Sequence, residues 1–399
     1  MGSICHFRLT LEAERPISSS CCSTTSPDGS RGTGGVVDLV GFEMLILSLI
    51  VVGLKLRKIV TMIPKKVPVF LEVLILVFLL NGATKLQFYT DVYAWYPDGQ
   101  TAYSANHAQQ TASTVEPPRT VDKSFSYVIK EPAYPSGKGP VVLIDEAHNN
   151  FHTATGTYLP FADLLRQDGY VVGRAKGKIS TELLKTGKIY VIADAQPPFN
   201  IGDPPTFSRE EIQILNDWVK KGGSLFLITD HMPDPGAIKD LALSFGIEVS
   251  NGYVMQGPPP GKPGPTLFEK NDGSLADHLL TKGQGNEEQV RRIATFAGSA
   301  FRCEERCQPL LILGEDFRSW MPKKYNTFPP GTPNIDVSGW YQGGVKNYGK
   351  GRIAFFAEAA MFTAQIFDNG RVKAGMNHPL GRDNARLLLN ILHWLSGLF

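Results

Sequence analysis

No part of this sequence carries a strong excess of one charge. Forty Lys and Arg stand against 38 Asp and Glu, and no basic tract is interleaved with aromatics. Proteins that hold nucleic acid concentrate positive charge on one face, so the composition gives no case for such a partner. The chain also lacks an apolar run of the ~20 residues that span a bilayer as a helix. Met44–Leu54 is too short, and Val67–Leu80 is both short and interrupted by Glu72. Cysteine is scarce: of five, Cys5, Cys21 and Cys22 fall near the N-terminus, leaving Cys303 and Cys307. No Gly-rich loop ending in GK[ST] precedes the DEAH of Asp145–His148, which removes the helicase reading of that tetrapeptide. A G-x-S-x-G nucleophile elbow is missing as well.

What is present begins with a telling N-terminus. Ser3–Gly35 is rich in Ser, Thr, Gly and Cys without helical or strand period, so residues 1–61 are expected to be disordered or to precede the true start. From Met62 the chain reads MIPKKVPVFLEVLILVFLLNGATKLQ, with two lysines, an apolar core and then Gly82 and Ala83. That layout predicts a secretory signal peptide over residues 62–83 and an exported product, periplasmic or extracellular. The alternative is a membrane anchor that retains both apolar runs as a tether. An even pair of cysteines in an exported chain is most simply a Cys303–Cys307 disulfide, although two thiolates for zinc is the other use of CEERC.

Residues 84–139 read as an irregular segment wrapping the domain, with FSYVIK as an edge strand. From residue 140 to 399 strands and helices alternate. Strands are expected at Val141–Ile144, Tyr170–Val172, Lys188–Ala193, Ser224–Thr229, Ile247–Val249, Arg292–Phe296, Leu310–Leu313 and Gly351–Ala357. Helices are expected at Tyr158–Asp168, Ser208–Lys221, Ala237–Phe245 and Asn384–Leu395, with Ser208 and Glu211 forming a capping box. The β-α-β-α order predicts an α/β fold with a doubly wound, mostly parallel sheet in a three-layer sandwich. Loop insertions are placed near 251–290 and 298–345. Asn251–Pro265 (NGYVMQGPPPGKPGP) reads as a surface loop or lid, too rich in Pro and Gly for regular structure.

Ligands of open parallel sheets bind beyond the carboxyl ends of the strands. Asp145–Glu146–His148, Asp194, Asp230–His231 and Glu358 all follow expected strands, His152 lies in the first loop, and Asn377–His378 lies in the last. Winding should bring these groups to one rim. Asp145, His148, His152, Asp230 and His231 form a ligand set for zinc or manganese. Glu146, His148, Asp230, His231 and Glu358 are the candidate catalytic groups, as general acid/base and proton shuttle with or without the metal. The competing expectation is that Asp145 and Asp230 cap loops while the histidines bond to backbone. The resulting functions are an exported hydrolase acting on a small polar or carbohydrate-like ligand, or a non-catalytic domain binding carbohydrate or peptide.

LNDWVKKGGSLFLITDH, followed by GRIAFFAEAAMF, resembles the class I glutamine amidotransferase-like superfamily. With LIDEAHNNFHT near the domain start and LLNILHWL at its end, the chain from Val141 to Phe399 is similar to an uncharacterised branch of secreted bacterial domains. That branch is related to trehalose-utilisation-type and gliding-motility-type domains. The resemblance implies a flavodoxin- or amidotransferase-like sandwich. It does not carry over a thiolate mechanism: the strand end TDHMPDPG holds Asp230 and His231 where the family's nucleophilic Cys would stand.

Overall fold

The computed structural model describes residues 119–197, 206–259, 261–262, 264–303, 307–367 and 371–399. The expected signal peptide, the two apolar runs and the segment 84–118 lie outside the described residues. Among those described, no helix is long and apolar enough to cross a membrane.

The architecture is mixed α/β, built on a nine-stranded sheet. In chain order the strands are β1 (Val141–Asp145), β2 (Val171–Ala175), β3 (Ile189–Ala193), β4 (Ser224–Ile228), β5 (Ile247–Val249), β6 (Phe301–Cys303), β7 (Cys307–Ile312), β8 (Tyr341–Tyr348) and β9 (Gly351–Phe356). Their spatial order is β2-β1-β3-β4-β9-β8-β6-β5, with β7 also paired to β8. Strands β2, β1, β3, β4 and β9 run parallel. Every remaining pairing is antiparallel. The expectation of a mostly parallel sheet is therefore corrected to a mixed one. After β4 the chain enters β5, which pairs antiparallel with β6, and from there the sheet grows by antiparallel addition.

Successive residues of the parallel strands serve opposite faces, as a pleated strand requires. Val142, Ile144, Val191, Phe226 and Phe356 join a core with Phe161 and Leu165 of helix α1 (Leu159–Gln167) and with Leu388 and Ile391 near the C-terminus. Leu143, Tyr190, Ile192, Leu227 and Phe355 join a second core. Its helical residues come from α2 (Thr181–Lys185), α3 (Arg209–Lys220), the short α4 (Asp234–Ala237) with its neighbour α5 (Lys239–Ser244), and their flanks. Strands covered on both sides are near-continuously apolar, which is why Val141–Ile144 and Leu225–Ile228 read as hydrophobic runs.

Several elements depart from the sequence reading, among them strands at Thr266–Glu269, Phe301–Cys303, Phe317–Trp320, Ala364–Phe367 and Val372–Gly375. FSYVIK forms no strand. Tyr253–Gln256, inside the segment judged too Gly- and Pro-rich, is a strand and pairs with Phe317–Trp320. β8 was not expected, because YQGGVKNY carries two adjacent glycines. A side chain at Gly343 would run into the Phe356 ring on β9 and approach Leu311 on β7, so the close approach demands glycine. Cys303 ends β6 and Cys307 starts β7, their Cα atoms are 5.9 Å apart and their sulfurs are bonded. The short α6 (Leu279–Lys282) packs against the last helix, α7 (Asn384–Ser396).

Candidate metal centre

Register places the site. Ala193 of β3 pairs with Ile228 of β4, and Ile228 pairs with Phe356 of β9, so these three strands end level with one another. Neighbouring strands lie ~4.8 Å apart, and the residues that follow them are necessarily close. Asp194, Asp230 and Glu358 follow β3, β4 and β9. Asp194 adopts a left-handed backbone, φ 52°, a region that Asp tolerates better than most residues. Its N–H donates to Ile228 O (2.9 Å) and its carbonyl accepts from Phe151 N–H (2.9 Å), which delivers His152 from the β1 loop to the same rim.

His152, Asp194 and Asp230 each present a ligand atom, all within 4.8 Å of one another. His152 is buried, with Nδ1 2.7 Å from Thr157 Oγ1 and its ring stacked on Tyr158 at 4.5 Å. Burial, assisted by the charge of Arg119, pushes its pKa down to about 3. The 3.7 Å approach of Nε2 to Asp194 Oδ2 is therefore no ion pair. A neutral imidazole is the form that binds metal.

Carboxyl groups crowd the same place. Burial first, then the neighbouring Asp230 charge, drives the pKa of Asp194 well up. Asp234, at the start of α4, is raised in the same direction by burial and by Asp194 and Asp230. Glu358, fully buried, is raised by burial and by Asp230, although it accepts from Ala360 N–H (3.1 Å) and Met361 N–H (2.8 Å). Asp194 Oδ1, Asp234 Oδ1 and Thr229 Oγ1 are buried without a hydrogen-bond partner. Asp194 and Asp234 hydrogen-bond each other, and buried polar atoms are nearly always paired, so these three orphan atoms single out the rim as the candidate site. The buried Tyr158 hydroxyl donates to Ala359 O (3.0 Å) and feels the charges of Asp194, Glu358 and Asp230.

Other expected site residues are engaged elsewhere. His148 Nδ1 lies 2.7 Å from Asp145 Oδ2 and Nε2 lies 3.1 Å from Glu211 Oε1, while its ring stacks on Phe207 at 4.3 Å. Asp145 also accepts from the Tyr190 hydroxyl at 2.9 Å. Both ring nitrogens of His148 are committed, and the two residues form a structural lock rather than a ligand pair. Glu146 accepts from Arg174 Nε (2.9 and 2.8 Å) and from Ala154 N–H (3.0 Å), pinning the β1 loop. His231 stacks on Tyr253 at 4.3 Å, with Nδ1 3.0 Å from Met232 O. Asn377 bonds Asp122 (3.0 Å), and the His378 ring packs edge-on to Phe296. The structure thus gathers His152, Asp230 and Glu358 with Asp194, whose place at a strand end was noted. It adds Asp234 and Tyr158, which were not foreseen. Asp234 was visible only as one more acid in TDHMPDPG.

No protein-family model matches the chain, and no curated protein matches it in sequence. Solved structures similar to it include the mmIFT52 N-terminal domain, at 16% identity, 64% of this chain and 97% of that one, TM-score 0.46. A protein described as ThuA-like from Bacteroides uniformis is similar at 14% identity over 68% of this chain and 94% of that one, TM-score 0.36. Another from Parabacteroides merdae is similar at 13% identity over 65% and 91%, TM-score 0.36. With TM-scores below 0.5, none of these likenesses carries a functional argument. None of the three is a class I glutamine amidotransferase, and no family model supports the assignment. The resemblance to that superfamily and to its secreted branch is accordingly withdrawn.

Proposed function

We propose that this protein is an exported, divalent-metal-assisted hydrolase whose centre is His152, Asp194 and Asp230, at the carboxyl ends of a doubly wound three-layer sandwich. The observation that carries the reading is Asp194 Oδ1, buried and unpartnered beside a neutral imidazole and a second carboxylate. Asp194 and Asp234 already share a side-chain hydrogen bond, but Asp194 Oδ1 is left without a partner, and a bound cation is one way such a buried set is satisfied. One imidazole with two carboxylates suits zinc or manganese. A metal so held supplies Lewis acidity and an activated water.

The chain's own groups supply the rest. Of the three ligand residues, only Asp230 is not fully buried. Glu358, held by two backbone amides, and Asp234, both with pKa values raised by burial and by the Asp230 charge, are the carboxyls placed to hold or return a proton at the site. Tyr158 stacks on His152 and fixes its ring plane. The Cys303–Cys307 disulfide favours an oxidising, exported setting. Phe151, 46% exposed and edge-on to His152, offers a rim surface for a small polar or carbohydrate-like ligand.

The test is hydrolysis of a panel of chromogenic esters and glycosides before and after chelation. Activity lost on chelation, restored by zinc or manganese and missing in Asp230→Asn is the expected result. Activity indifferent to chelator, or no activity in metal-loaded protein, contradicts the catalytic reading.

A further inference from the structure

A cavity of ≈ 630 Å³ lies between two strands that belong to different small sheets. One wall is Tyr253–Gln256, the end strand of a three-stranded sheet whose other members are Phe317–Trp320 and Asn334–Asp336. The other is Thr266–Glu269, paired only with Arg292–Thr295. Among the described residues neither has a strand on the side facing the cavity.

Hydrogen-bond direction follows from the two-residue alternation of antiparallel strands. Val254 N–H turns away from the Phe317–Trp320 strand to reach Gly298 O (2.9 Å), so Gln256 N–H and C=O face the same outward side. Glu269 N–H donates to Ser274 Oγ (2.9 Å) and its carbonyl accepts from Leu275 N–H (3.0 Å), both away from the Arg292–Thr295 strand. Leu267 N–H and C=O therefore also point outward. On each strand one outward residue, Gln256 or Leu267, thus has no backbone partner among the described residues, while Val254 N–H and Glu269 are already bonded on that side. Open edge positions of this kind are ones that folded proteins ordinarily cover or blunt.

The geometry points to a docking site for an extended peptide that enters as a strand between these edges and joins the two small sheets. A strand lying in the cavity uses its amides alternately on both sides, which Gln256 on one wall and Leu267 on the other can satisfy. The side chains of such a peptide would alternate as well. Beneath lie the buried Val254, Phe268 and Phe317; at the rim stand the exposed carboxylates Asp272, Glu315 and Asp316 against a single ammonium, Lys262. Lys262 is already bonded to Gln256 Oε1 at 2.9 Å. The complementary peptide alternates apolar with basic residues. This site stands on its own geometry, whether or not metal chemistry proceeds nearby.

The probe is fluorescently labelled acetyl-Val-Lys-Val-Lys-Val-Lys-amide, read by anisotropy and by amide hydrogen exchange of the full chain. Two comparison peptides carry Glu for Lys or N-methyl groups on alternate amides. Saturable binding that slows exchange at both Tyr253–Gln256 and Thr266–Glu269 is expected, with each comparison peptide weaker by about tenfold or more. A Glu315→Lys/Asp316→Lys variant, altered only at exposed positions, should reverse the preference toward the Glu peptide. Failure of the Lys peptide to bind, equal binding of all three, or protection absent from either strand overturns the proposal.

Discussion

His148 Nε2 stands 3.1 Å from Glu211 Oε1, joining the loop after β1 to the first turn of α3. Glu211 is already the capping-box residue of that helix, accepting from Ser208 N–H (3.0 Å) and Ser208 Oγ–H (2.7 Å). With Asp145 on its other nitrogen, the imidazole closes a buried bridge between sheet and helix. Burial pushes the His148 pKa down, but the bonds and charges of Asp145 and Glu211 outweigh it and the net shift is upward. Burial likewise pushes Glu211 up, and the bonds from Ser208 and His148 reverse it to a net lowering.

The pH dependence follows from these signs. The raised His148 pKa contributes stability that is full below 6.5 and lost as pH rises through the folded value. The lowered Glu211 pKa contributes stability that is present above 4.5 and lost as pH falls through its folded value. The bridge should stabilise most between pH 4.5 and 6.5. Urea unfolding of His148→Ala should show a loss of about 3–5 kcal/mol in that window, since two carboxylates are left buried. An unchanged pH profile in the variant would show that the bridge does not titrate as described.

Glu146 was a candidate catalytic group by position, yet it is held by Arg174 and the Ala154 amide. Glu146→Ala should cost about 1.5–3 kcal/mol through loss of charge-assisted bonds. Metal affinity, followed by calorimetric titration, should fall far less than in Asp194→Asn. Equal losses in the two variants would return Glu146 to the centre.

Gly298 has φ 90°, and a side chain there would meet Ala357 O and approach Glu358 Cβ to 2.8 Å. Gly298→Ala is expected to destabilise by roughly 1–3 kcal/mol and to displace Glu358. Thermal unfolding and metal titration of the variant check both effects.

The Cys303–Cys307 bridge closes a loop with a sequence separation of 4. Chain entropy for so short a loop gives about 2 kcal/mol. Cys303→Ser/Cys307→Ser should lose about that much in urea unfolding. The proposed metal site, just beyond the ends of β3 and β4, should keep its affinity.

Much of the scaffold was legible because strands buried on both faces are near-continuously apolar, as Val141–Ile144, Ile189–Ala193 and Leu225–Ile228 show. β8 was not, since the packing of Phe356 that demands Gly343 is a tertiary fact. For the site, the sequence pointed to the carboxyl ends of the strands. It could not show which acids there already had partners, because Arg174 and Glu211 sit on other elements. Nor could it show that a left-handed backbone at Asp194 delivers that carboxylate to His152.

The most direct test is the metal content of purified protein after incubation with zinc or manganese and gel filtration, compared with Asp194→Asn and with Asp230→Asn. The account predicts one tightly held ion per chain, lost in both variants while near-ultraviolet circular dichroism shows the fold intact. Wild-type protein that leaves the column without metal, or variants that retain it at full stoichiometry, would contradict the assignment of His152, Asp194 and Asp230 as the centre.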